Sequence, residues 1–324
     1  MEVNINNIAF LIPIHEKDYT YMDNLIKNIN IISKVADIYF ILSNQLDYDK
    51  LDLKYKENFK YIIIEHKPNI GNIVIYKKMY ALNYMKDREE YDYFILCDSE
   101  IDIISENFTR DNIQNKIKDF FSQKIIYSGK IKNKHNKRII ETTCNCFKNK
   151  DDCDMLKKVV LDNNSYYWWS DIPYVKRTHI SDFFNKLKDI KKYTWYHFEH
   201  ILYLNYLYLY HNFIFINISN ILEKYPSLES FYTTNPNKII ELNNTGYIFS
   251  WITPRLYYNN IDTIKDNKPF ILYHLDREFY KKICNNHKQT ILPRQYFVSY
   301  LFNILPNITH KLSCGCELGF YRNY

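Results

Sequence analysis

The chain has 324 residues, 46% of them apolar and 25% charged, the balance of an ordinary globular protein with room for a sizeable core. Its net charge of +6, from 43 basic and 37 acidic residues, is mild and the lysines are scattered, so a dedicated nucleic-acid binder is not indicated. No apolar run is long and clean enough for a membrane span, because Asn205, His211, Asn212 and Asn217 interrupt the most hydrophobic one, Ile201–Ile218.

Strand and helix signals alternate through the first hundred residues. Ile8–Ile14 is an apolar run closed by Pro13 and His15, which predicts a strand. Tyr19–Ser33 carries apolar residues at helical spacing, with Asp18 as its cap. Ile38–Leu42 predicts a second strand ending at Ser43 and Asn44, and Tyr61–Glu65 a third, followed by the loop HKPNIGN. Positions 75, 79, 82 and 85 then form one stripe of a helix over Ile73–Met85, with Lys77 and Lys78 on its flank.

Residues 91–103, YDYFILCDSEIDI, hold the strongest signal. An apolar run, Tyr93–Cys97, fits one buried strand and stops in three carboxylates, Asp98, Glu100 and Asp102. Their spacing of two gives them one parity in an extended segment, so all three can face one cation. Hard oxygens at the carboxyl end of a buried strand suit Mg²⁺ or Mn²⁺ held with substrate phosphates. A solvated acidic turn is the plainer alternative.

The second half is less regular. Helices are expected over Phe108–Phe121, Ile180–Ile190, Tyr196–Tyr210 and Arg294–Ile304. Strands are expected over Lys124–Ile131, Arg138–Phe147, Phe213–Ile218 and Phe270–His274, the first two as a hairpin over KNKHNK. The aromatic stretch 166–174 reads as a loop or a short helix start. Strand–helix alternation followed by this mixed part predicts an α/β fold with a mostly parallel sheet in the amino-terminal half. Residues 1–105 and 106–324 are taken as two halves of one continuous globular unit.

Taken together, IAFLIPIHE, Asn69-Ile70-Gly71 and Asp98-Ser99-Glu100 resemble, in that order, the elements of the GT-A glycosyltransferases, most clearly over residues 8–103. The resemblance implies a Rossmann-like nucleotide-binding half, a mixed α+β acceptor half, a nucleotide-sugar donor (UDP-linked) and a glycan or other hydroxyl acceptor. It implies that Pro13, His15 and Asn44 line the nucleotide, and that Asn69, Gly71, Lys77 and Lys78 lie at the diphosphate together with Asp98. Asp98, Glu100 and Asp102 would bind Mn²⁺ or Mg²⁺, joined by His274 from the carboxyl-terminal part. The chain departs from the pattern in Glu100, which replaces the usual second Asp, and in Asn44, where many relatives carry Asp.

Glu199, in the aromatic segment KYTWYHFEHILYLNYLYLY, and Asp171, in WWSDIP, are the candidates for a base toward the acceptor hydroxyl; structural roles stand equally beside both. Trp168 and Trp169 are candidates for stacking on an acceptor sugar, with core packing as the alternative. The same acidic site would serve a nucleotidyltransferase, and a non-enzymatic carbohydrate- or protein-binding module is the third reading. No GxSxG, GxxxxGK[ST] or HExxH occurs, and the loop after the first strand lacks GxGxxG, against a dinucleotide-dependent oxidoreductase. The seven cysteines are expected as reduced thiols rather than a zinc site of Cys144, Cys146 and Cys153. With no basic-then-apolar leader, a cytoplasmic location is expected, peripheral membrane contact being permitted.

Overall fold

The computed structural model describes residues 7–15, 30, 32–57, 59–64, 70–97, 99, 101–103, 109–131, 134–166, 174–217 and 272–274. Five strands build the main sheet: β1 (Ile8–Pro13), β2 (Asp37–Leu42), β3 (Lys60–Ile63), β4 (Tyr93–Leu96) and, numbered in chain order, β8 (Tyr174–Lys176). Their order is β3-β2-β1-β4-β8. The first four are parallel, and β8 runs antiparallel to β4 as the edge. This is the α/β, mostly parallel architecture expected from the strand–helix alternation.

Both faces of the sheet are covered, so its central strands are apolar throughout rather than alternating; β1 is buried along all six residues. Ala9, Leu11, Tyr39, Ile41 and Phe94 join one core cluster, whereas Ile8, Phe10, Ile12, Phe40 and Ile95 join the cluster on the opposite face. Two short helices, α1 (Gln45–Asp49) and α2 (Leu53–Lys56), link β2 to β3, and α3 (Ile73–Met85) crosses from β3 to β4. The bounds of α3 are those expected, because Asn72 caps it through side-chain bonds from the Val74 and Ile75 N–H groups.

Lys77 and Lys78, beside the apolar stripe of α3, are buried at 2% and 6% exposure, so the helix has no solvated face at these positions. The helix is covered twice: by β1 and β2 on one side, and by α7 (Ile180–Lys186), α8 (Glu199–His211) and the 3₁₀ turn Ile190–Lys192 on the other.

In the second half, α4 (Arg110–Gln123) leads into β6 (Ile125–Lys130), which lies in a smaller three-stranded sheet between β7 (Ser165–Tyr166) and β9 (Ile214–Asn217). The expected strand Arg138–Phe147 is instead the helix α5 (Lys134–Cys144), so no hairpin forms with β6. Ile139, Ile140, Thr143 and Cys144 are buried, which is a helical and not an alternating set. Thr143 Oγ1 satisfies itself inside that helix by donating to the Ile139 and Ile140 carbonyls. Packing of α5 on α6 (Lys150–Leu161) and α8 overrides the β-branched composition.

Helix α8 ends at Asn212, whose φ of 57° places it in the left-handed region that Asn tolerates. The expected helix Arg294–Ile304, and nearly all of Tyr19–Ser33, lie outside the described residues. Cys97, Cys144, Cys146 and Cys153 are buried thiols outside any disulfide, and burial pushes the Cys144 and Cys146 thiols up to about 12. Among the described residues no His, Cys, Asp and Glu group is placed to hold a metal, and no helix is long and apolar enough to cross a membrane.

Candidate active site

Parallel strands bring their carboxyl ends to one edge. That edge gathers Pro13 and His15 after β1, Asn44 after β2, the loop to Gly71 after β3 and the acidic segment after β4. The chain goes from β1 outward to β2 and β3, then returns to place β4 on the other side of β1. The crevice between β1 and β4 is thus the topological switch point, where open α/β sheets take their ligands.

Beyond β4, residues Ile101–Ile103 form β5, which pairs antiparallel with β10 (Leu272–His274). The register sets His274 opposite Ile101, Tyr273 opposite Asp102 and Leu272 opposite Ile103. Residue 274 therefore stands at the end of this ribbon from which the chain continues back to Glu100 and Asp98. Two segments more than 160 positions apart meet at the edge where sequence alone placed the carboxylates. Asp98 and Glu100 lie outside the described residues, as do Asn69, Trp168, Trp169 and Asp171.

Lys77, Lys78, Glu199, Asn44 and Gly71 have definite partners. Lys77 Nζ donates to the Ile14 carbonyl at 2.5 Å, which anchors a buried ammonium beneath the Pro13–His15 segment. Lys78 Nζ donates to Glu199 Oε1 at 2.6 Å, and both side chains are at most 7% exposed. Burial alone would raise the Glu199 carboxyl, but the Lys78 ammonium and the neighbouring His200 hold it well below the usual carboxylate range. Lys78, one of two lysines expected near the diphosphate, and Glu199, one of two base candidates for which a structural role stood equally, are bonded to each other. A carboxylate held that far below neutrality is a poor proton acceptor.

Asn44 Oδ1 accepts the Asp47 N–H at 2.8 Å and so caps α1, which gives it a structural task at the edge. Gly71 has one too. Its N–H donates to the Lys191 carbonyl at 3.1 Å, and a Cβ there would overlap the Tyr193 carbonyl oxygen. The glycine serves close backbone approach between the β3–α3 loop and the 190–193 turn.

A mostly parallel, Rossmann-like sheet with an antiparallel edge strand, and a two-stranded ribbon following β4, define an α/β fold. Among solved structures, the chain is similar to a glycosyltransferase involved in the glycosylation of the major capsid of PBCV-1, with a TM-score of 0.35 and 11% identity over 83% of this chain and 94% of that one. It is also similar to a CMP:2-keto-3-deoxy-manno-octonic acid synthetase complexed with CTP, with a TM-score of 0.29 and 9% identity over 69% and 98%. No protein-family model and no curated protein matches the chain.

Proposed function

We propose that this protein is a metal-dependent glycosyltransferase of the GT-A type, moving a sugar from a nucleotide-diphosphate donor, UDP-linked, to a glycan or other hydroxyl acceptor. The observation that supports it is the β5–β10 ribbon, which brings the backbone of His274 to the acidic segment at the switch-point edge. Carboxylate oxygens with one imidazole nitrogen are a donor set suited to Mn²⁺, and the oxygens alone to Mg²⁺. Asp98, Glu100 and His274 would hold the cation, with Asp102 beside them. When bound, such a cation offsets negative charge on a diphosphate leaving group.

The rest of the chemistry belongs to the chain. Pro13, His15 and Asn44 would flank the nucleotide at the ends of β1 and β2. Lys77 would keep the β1 loop in place through the Ile14 carbonyl and add buried positive charge behind it. With Glu199 paired to Lys78, Asp171 is the better candidate for taking the acceptor hydroxyl proton.

A thermal-shift screen of nucleotide sugars, each with and without Mn²⁺, tests the proposal, since ligands that bind the native state raise its melting temperature. One nucleotide sugar is expected to raise it only with metal. Release of nucleoside diphosphate in the transfer assay is then expected; release of pyrophosphate would instead identify a nucleotidyltransferase. No shift with any nucleotide sugar would overturn the reading.

A further inference from the structure

A cavity of about 450 Å³ opens between the carboxyl end of α5 and the segment 188–197, within the size range of small-molecule sites. We infer that this cleft binds a small phosphate monoester, held by the ammonium groups of Lys188 and Lys192. None of its lining residues belongs to the strand ends of the main sheet or to α3, so the site is separate from the donor edge and does not rest on the reading given there.

Charge is the first argument. The segment 186–192, KLKDIKK, sets four lysines against one aspartate. Nearby lysines are matched to carboxylates one helical turn away, as Lys137 is to Glu141 at 3.7 Å and Lys186 to Asp182 at 4.0 Å. Lys188 and Lys192 are not: among the described residues neither forms an ion pair, although both line the same cleft. Two ammoniums converging on one concavity repel each other and focus positive potential in it, a cost that a bound anion reverses. Among the described residues of the lining, Asp189 is the one carboxylate. Its Oδ1 accepts the Lys191 N–H at 3.0 Å and so caps the 190–192 turn, and the cleft keeps a net positive charge.

Hydrogen bonding is the second. An ammonium carries three donors and no acceptor. Lys188 Nζ uses one of them on the Asn145 carbonyl at 2.7 Å, which fixes it at the rim with donors to spare. His197 Nδ1 accepts the Thr194 N–H at 2.9 Å, and burial holds the ring below its usual pKa, so the neutral ring carries its proton on Nε2, a further donor. A surplus of donors around positive charge fits a phosphate dianion, which accepts at every oxygen and donates nothing. The backbone behind both lysines is braced. Phe147 and Leu187 form an antiparallel bridge, in which the Lys188 N–H meets the Cys146 carbonyl and the Lys148 N–H the Lys186 carbonyl, each at 2.8 Å. Lys192 stands on the capped turn, followed by the buried Tyr193 ring, on which His197 stacks with centroids 4.6 Å apart. Such pre-organisation lowers the ordering cost of binding.

The test is isothermal titration calorimetry of the full chain with inorganic phosphate, glycerol 3-phosphate and glycerol, in the absence of nucleotide and metal, beside sedimentation with vesicles that contain phosphatidic acid. Both phosphates are expected to bind and glycerol is not. Lys188→Ala and Lys192→Ala are each expected to weaken binding about tenfold or more, while Lys192→Arg keeps it. Both lysines are exposed, so these variants are expected to melt as the wild type does. Lys158→Ala removes the same charge from α6, outside the lining, and is expected to bind as the wild type does. Asp98→Ala is also expected to keep phosphate binding, which separates this cleft from the donor edge: its failure leaves the donor reading standing, and the converse holds. No binding of either phosphate, an equal loss in Lys158→Ala, a loss in Asp98→Ala alone, or binding confined to vesicles overturns the inference.

Discussion

An ammonium and a carboxylate taken out of water together cost several kcal/mol each to desolvate, roughly what their mutual attraction returns. Lys78 and Glu199 are such a pair, bonded at 2.6 Å between α3 and the first turn of α8, where the helix dipole also favours the carboxylate. Removing one partner is therefore far worse than removing both. Glu199→Gln is expected to destabilise the fold by roughly 3–5 kcal/mol, read by urea denaturation, while Lys78→Met with Glu199→Leu recovers most of the loss. The pair also has a pH signature. The folded carboxyl lies below its unfolded range, so its stabilisation is complete above about pH 4.3 and fades as the pH falls further; the gap between wild type and Glu199→Gln should narrow there.

A second titrating residue acts at higher pH. Burial, the His211 ring stacked on it at 3.9 Å and Lys176 bring His179 down to about 3. Unfolded histidine titrates near about 6.5, so between about pH 6.5 and 3 the unfolded chain binds the extra proton and the native state loses stability as the pH drops. His179→Gln, which can still bond the Tyr203 hydroxyl that Nδ1 now meets at 2.9 Å, should flatten the fall in melting temperature between pH 7 and pH 5.

At the scale of elements, the joint between the β3–α3 loop and the 190–193 turn is the most sensitive to a small change. Gly71→Ala puts a methyl group into the Tyr193 carbonyl, and backbone cannot swing aside as a flexible side chain can. The expected cost is about 1–3 kcal/mol by denaturation. The sequence legibly marked the amino-terminal elements: β1, β2, β4 and α3 lie within a residue or two of where apolar runs and helical stripes put them. It misread Arg138–Phe147 as a strand and the preceding KNKHNK as a turn, where the chain forms the helix Lys134–Cys144. Burial of residues 139, 140, 143 and 144 against two helices decided for helix, and that partner surface comes from elsewhere in the chain. The strand β8 carried no signal in three residues; it exists because β4 has an open edge to pair.

The whole molecule brings together what the sequence leaves apart. The main sheet recruits Tyr174–Lys176 from the second half, and the ribbon recruits Leu272–His274 from still farther along. If that ribbon completes a cation site, Asp98→Ala and His274→Ala should each abolish the Mn²⁺-dependent thermal shift. Replacing Asp102, registered with Tyr273 rather than with His274, should have the smaller effect. Titrating Mn²⁺ against melting temperature at saturating nucleotide sugar checks the ranking.

By itself the sequence determined the class of fold and the acidic end of β4. Both are local matters: a run of apolar residues, the period of a stripe, three carboxylates at a spacing of two. Tertiary structure alone decided that Lys78 and Glu199 would neutralise each other and that Gly71 would yield its space to a distant carbonyl. Each of these depends on which surfaces meet, and desolvation and packing at such meetings are set by residues far away along the chain.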